Sequence, residues 1–180
     1  MSPIEPVQIL SEETIYQGSL IDLKRERVRL PNGKETTREV VVHPQVVVMI
    51  PVLDDGRLLL IRQYRDAIRK ETLEVPAGGI DDGETPEQAV RREMKEETGY
   101  SVGSLQAMTS FYSSPGFTTE LMHLFLCQGL QPGTPTEPDD QIEPALLSLD
   151  EVMSRVWDGT IVDAKTILSL ALYRLQDGRG

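Results

Sequence analysis

Three glutamates, Glu93, Glu96 and Glu97, stand in an i, i+3, i+4 relation inside the segment GGIDDGETPEQAVRREMKEETGY, which begins at Gly78. On a helix these carboxylates crowd one side. Like charges so spaced cost about a few tenths of a kcal/mol per pair, and more when partly desolvated. Three converging hard oxygens suit a divalent ion such as Mg²⁺ or Mn²⁺. The alternative is a solvated acidic face, but that would lie opposite the apolar stripe. Val90 and Met94 mark the stripe, and at ~100° per residue Glu97 falls only ~20° from Val90. Arg91 and Lys95 point elsewhere, so neither neutralises the whole cluster.

The helix that must carry these groups is well signalled. Thr85 is a good N-cap, Pro86 suits the first helical position, Glu87 puts negative charge in the first turn, and Gln88 completes a capping box. Gly99 is placed to end the helix in a left-handed conformation. Gly78 and Gly79 precede an aspartate-rich turn, which predicts a loop with unusual dihedrals or close backbone approach.

The whole chain has 180 residues, 39% of them hydrophobic, enough for one ordinary domain with a small appendage. A net charge of −11 argues against nucleic acid or an anionic membrane as partner. An acidic protein handling a phosphate substrate needs a metal or local arginines. The lone Cys127 excludes an intrachain disulfide and reads as a packed core thiol. MSPIEPVQIL lacks the pattern of a signal peptide, and apolar runs such as 46–53 are too short to span a bilayer, so a soluble cytoplasmic protein is expected.

Residues 14–16, 21–30 and 40–42 read as N-terminal strands, with a turn at Pro31-Asn32-Gly33. Having few apolar positions, this hairpin must pack on the main domain, on a second subunit, or on both. A boundary at His43-Pro44 divides a 1–43 region from a 44–180 domain. Strands are expected at 45–53, 58–64, 72–76, 105–112, 120–128 and 142–149, with later helices at 149–157 and 163–176. Residues 131–141 read as a mobile polar loop, and Trp157 as core. His123 reads as a satisfied strand histidine and His43 as a strand-entry residue. Strands interleaved with a few helices predict an α/β fold with a mixed sheet covered on two faces.

Gly78, Glu84, Arg92, Glu93, Met94, Glu96, Glu97, Gly99 and Tyr100 resemble the Nudix box, G-x5-E-x7-R-E-U-x-E-E-x-G-U, with an aromatic at the last position. The resemblance implies a Nudix-type α/β/α sandwich and hydrolysis of a nucleoside diphosphate linked to another group. Pro115 lies sixteen residues past Gly99 (115 − 99 = 16), within SSPGFTTE, and this segment resembles the signature of ADP-ribose pyrophosphatases. VVVHPQVVV and RQYR are similar to that subfamily too, although Gln45 stands where glycine is frequent.

The resemblance implies metal ligation of Mg²⁺ or Mn²⁺ by Glu93, Glu96, Glu97 and the Ala77 carbonyl, with Arg92 and Glu84 as an orienting ion pair. It implies a diphosphate contact from Arg65, a sugar hydroxyl contact from Glu120, and Arg38 and Glu39 reaching the adenine side from the partner in a homodimer. Arg65, Glu120, Arg38 and Glu39 also read as ordinary surface charges. Glu137, Asp139 and Asp140 are candidates for the general base, in a segment long enough to close over a site, and a merely solvated acidic loop is the other reading. ADP-ribose would give AMP and ribose 5-phosphate. The rival substrates are GDP-mannose and other sugar nucleotides. A non-hydrolytic ADP-ribose sensor is disfavoured, since all three carboxylates are present.

Overall fold

The computed structural model describes residues 3–136 and 142–177. The chain forms two compact units, residues 1–45 with 112–121, and residues 46–111 with 122–180. The first holds an antiparallel sheet, β1 (Gln8–Gln17), β2 (Asp22–Arg29) and β3 (Glu35–Val42), in the order β1-β2-β3. β1 is longer than the expected 14–16 and β3 starts earlier than 40, because charged and exposed residues on both faces hide the period-2 signal.

In the second unit β4 (Val46–Pro51) is buried along its whole length. It runs parallel to β9 (Leu121–Gln128) and antiparallel to a short β7 (Ala77–Gly79). With β8 (Ser104–Tyr112) these make a mixed sheet ordered β7-β4-β9-β8. A second sheet orders β10 (Ile142–Leu147), β5 (Leu58–Arg65) and β6 (Lys70–Glu74) as β10-β5-β6.

Alternation along the buried strands explains the layers. Val46, Val48 and Ile50 join Leu58, Leu60, Leu124 and Leu126 in one core. That core also holds Val152 of α2 (Leu149–Trp157) and Leu170 of α3 (Ala164–Asp177). Val47, Met49, Leu59, Phe125 and Cys127 face the other way, onto Ala89, Val90 and Met94 of α1 (Pro86–Thr98). Strands buried on both faces read as unbroken apolar runs, and the result is the expected α/β/α sandwich.

Two expectations fail here. Trp157 is 85% exposed rather than core. It lies five residues beyond buried Val152, ~140° around the helix and off the apolar stripe. Ala77–Gly79, read as loop, pairs with the edge of β4 through Val46↔Gly79 and Val48↔Ala77, and Met49 N–H donates to the Pro76 carbonyl at 3.0 Å. Cys127 is buried as expected, and burial pushes its thiol up to about 12.

Candidate active site

The site is built where β7 meets α1. The capping box holds, with Gln88 N–H donating to Thr85 Oγ1 and Thr85 N–H to Gln88 Oε1. Gly99 ends the helix at φ 77°. A Cβ there would stand 2.8 Å from the Gly133 carbonyl oxygen and from Pro135, so the loop after β9 closes on this cap. At Gly78 a Cβ would fall 1.9 Å from the Glu93 carboxyl carbon, while one at Gly79 would meet nothing within 4 Å. Backbone fixed by β4 is thus pressed onto the first of the three glutamates.

Arg92 organises the next layer. Its Nε and Nη2 donate to Glu84 at 3.1 and 2.8 Å, and Nη2 also reaches the Gly79 carbonyl at 2.8 Å. Its Nη1 donates to Glu93 at 2.7 Å and to Glu96 at 3.0 Å. The Arg92–Glu84 pair lies where the sequence put it. Beyond that pair, Arg92 itself offsets part of the cluster, since it meets two of its three carboxylates. Arg91 is indeed turned away, donating to the Val102 carbonyl.

Glu97 is the exception. Its Oε2 is buried without a hydrogen-bond partner. Burial, then the charge of Glu93, push its carboxyl up to about 8, and Arg65, the Ala77 N–H and Lys165 only partly oppose this. Burial also raises Glu93, against the pull of Arg92. Among the described residues no three His, Cys, Asp or Glu side chains gather into a ready cage. A hard divalent ion nevertheless fits the donors here. An orphaned oxygen on Glu97 and the carboxylate oxygens of Glu93 and Glu96 suit it once Arg92 shares its two carboxylates.

A second charge network, largely missed in the sequence, stands beside Glu97. Arg65 Nε and Nη2 grip Glu74 at 2.9 and 2.6 Å, and Thr72 Oγ1 donates to Glu74 at 2.7 Å. Lys165 donates to the same Glu74 and, at 3.0 Å, to Asp163. Asp163 accepts from the Thr166 N–H and hydroxyl at the start of α3, and Thr166 Oγ1 accepts from Val75 N–H at 3.0 Å. Burial opposes ionisation of Glu74, but Arg65 and Lys165 outweigh it and hold the group at about 2. An aspartate two residues before a lysine at a helix start was the available signal, but nothing in the sequence tied it to a glutamate ninety-odd positions away.

Arg38, Glu39 and Glu120 belong to the first unit. Arg38 and Glu39 lie exposed on β3, where Glu39 approaches Arg25 at 3.6 Å and Arg38 Nη1 donates to the Thr37 carbonyl at 3.5 Å. Glu120 Oε1 lies 3.8 Å from His43 Nε2. Beside them a cavity of about 430 Å³ is lined by His43, Pro115, Thr118 and Thr119 among others. Glu137, Asp139 and Asp140 lie outside the described residues.

On the α/β/α sandwich, a strand-pinned glycine thus lies under a capped helix that carries the three glutamates. Residues 42–169 match the NUDIX domain model, and residues 7–41 that of the nucleoside diphosphate sugar hydrolase N-terminal domain. The chain belongs to the Nudix family. It is 36% identical over 171 residues to the ADP-ribose pyrophosphatase of Bacillus subtilis, covering 93% of this chain and 92% of the relative. It is 33% identical to the methanol dehydrogenase activator of Bacillus methanolicus, with the same two coverages, 93% and 92%. A crystal structure described as an ADP compounds hydrolase superposes with a TM-score of 0.88 at 25% identity, covering 100% of this chain and 99% of that one.

Two outcomes follow from this geometry. In Gly78→Ala the flexible end of Glu93 yields to the new methyl, so thermal stability changes by less than about 1 kcal/mol while turnover falls roughly 10²-fold. Paired calorimetric and kinetic measurements check the split. Glu74 is depressed from 4.5 to about 2, so its contribution is complete above pH 4.5 and is lost as pH falls through about 2. The stability gap between wild type and Glu74→Gln therefore narrows on acidification through that window, as denaturant titrations at successive pH values will read.

Proposed function

We propose that this protein hydrolyses the diphosphate of ADP-ribose, or of a related ADP-sugar, to AMP and ribose 5-phosphate, using Mg²⁺ or Mn²⁺. The observation that carries this reading is the buried, unpartnered Oε2 of Glu97 beside the Gly78–Glu93 contact. Such an oxygen has a role where a cation and a polyanion meet. The choice of ADP-ribose rests on the Pro115 segment and on the relative named for that substrate.

Glu93, Glu96, Glu97 and the Ala77 carbonyl hold the ion. When bound, it supplies positive charge against the diphosphate and acidifies water. Arg65 presents its outer edge to the diphosphate, since its inner edge is committed to Glu74. Glu120, in the wall of the Pro115 loop, accepts from a sugar hydroxyl, and Arg38 and Glu39 serve the adenine side of a partner's site. A carboxylate among Glu137, Asp139 and Asp140 takes the proton of the attacking water. The water oxygen bonds to one phosphorus as the bond from that phosphorus to the bridging oxygen breaks, and the phosphate ester leaves.

A homodimer completes the reading, supported by apolar side chains left exposed in the first unit: Ile9 at 57%, Ile15 at 39% and Tyr16 at 58%. No described helix is long and apolar enough to cross a membrane. The reading includes a cytoplasmic location, in keeping with the unpaired Cys127.

The test is release of AMP from ADP-ribose against release of GMP from GDP-mannose, by wild type and Glu97→Gln. Wild type is expected to favour ADP-ribose, and Glu97→Gln to lose roughly 10³-fold in turnover. Faster turnover of GDP-mannose would reassign the substrate. Binding of ADP-ribose without turnover would make the protein a sensor.

A further inference from the structure

We infer that Lys165 is a positioning residue for substrate: clamped between Glu74 and Asp163, it holds the Arg65 guanidinium with its outer edge turned to an incoming diphosphate. The inference deepens the proposed function and rests on it. Arg65 ends β5, and its side chain is 43% exposed. A long side chain at a strand end sweeps solvent unless something fixes it, and the loss of that freedom weakens any contact it makes.

Here Glu74 fixes it. The Glu74 side chain is only 2% exposed, and Nε and Nη2 of Arg65 form a two-point grip on its carboxylate. Lys165 meets the same Oε2 that Arg65 Nη2 uses, with its side chain 10% exposed. Two cations thus share one oxygen. The carboxylate is not held by Arg65 alone, and Nη1 of the guanidinium, which takes no part in the grip, is left to offer outward. Lys165 is held in turn by Asp163, which caps the start of α3 through Thr166. Thr166 also ties Val75, the residue after Glu74, so this helix end sets both Glu74 and Lys165 in register.

Without the lysine charge, Glu74 and Arg65 form a closed pair drawn inward. The substrate diphosphate loses a prepaid contact in the ground state and the transition state alike. That predicts a rise in KM with kcat nearly unchanged, a pattern that a general loss of fold does not give.

The experiment compares wild type with Lys165→Met, Lys165→Gln and Lys165→Arg in turnover of ADP-ribose with Mg²⁺. A second readout is equilibrium binding of a methylene-bridged ADP-ribose analogue without metal. Lys165→Met is expected to raise KM and the analogue's Kd roughly tenfold or more, with kcat within about threefold, as for one charge-assisted hydrogen bond. Lys165→Arg, which keeps the charge, is expected to restore both. Lys165→Gln keeps hydrogen-bond donors but no charge, and decides the matter should the methionine variant not fold. Unchanged KM and Kd in a folded neutral variant would overturn the inference, as would failure of arginine to restore them. Absence of turnover by wild type would overturn the underlying reading instead, and needs no variant to be seen.

Discussion

Everything at this site depends on keeping the Glu97 carboxylate where water is scarce. A carboxyl held at about 8 instead of 4.5 carries a desolvation cost on the order of several kcal/mol when ionised. Its neighbours do not remove that cost. The Ala77 N–H and the charges of Arg65 and Lys165 favour ionisation, yet burial and Glu93 prevail. The fold tolerates this because α1 is fixed independently, through its capping box, its left-handed stop at Gly99 and the packing of Val90 and Met94. The helix is stable enough to present a group that is not.

Two arginines then divide the work by environment. Arg92 is saturated with acceptors on three glutamates and one carbonyl, and serves as the internal counter-charge of the helix. Arg65 is gripped on one edge only, and that grip lies on a buried glutamate shared with a lysine from α3. A saturated cation holds a structure together, whereas a half-satisfied one is available to an anion. Arg65 thereby feels the charge of Glu97 on α1 as well as that of Asp163 at the start of α3.

The sequence made much of this legible because the relevant signals are local. Thr85, Gln88, Gly99 and the spacing of Glu93, Glu96 and Glu97 lie within one helix and its caps, so turn chemistry and a 3.6-residue period suffice to read them. The buried runs in β4, β5 and β9 are equally plain, and with them the two-sided burial. What escaped has a common cause. Lys165–Glu74 joins residues 91 positions apart, and β1 hides its pairing behind polar residues on both faces. Trp157 misled because aromatic character was given more weight than its angle on the helix. The double role of Arg92 was missed because its pairing with Glu84 accounted for it too completely.

In the function proposed here, a divalent cation completes the helix face around Glu97. The direct measurement is calorimetric titration of Mn²⁺ into substrate-free wild type and Glu97→Gln at neutral pH. Saturable binding by wild type, weakened roughly tenfold or more in the variant, is the predicted result. Equal affinity in the two proteins, or no binding by either, would contradict it.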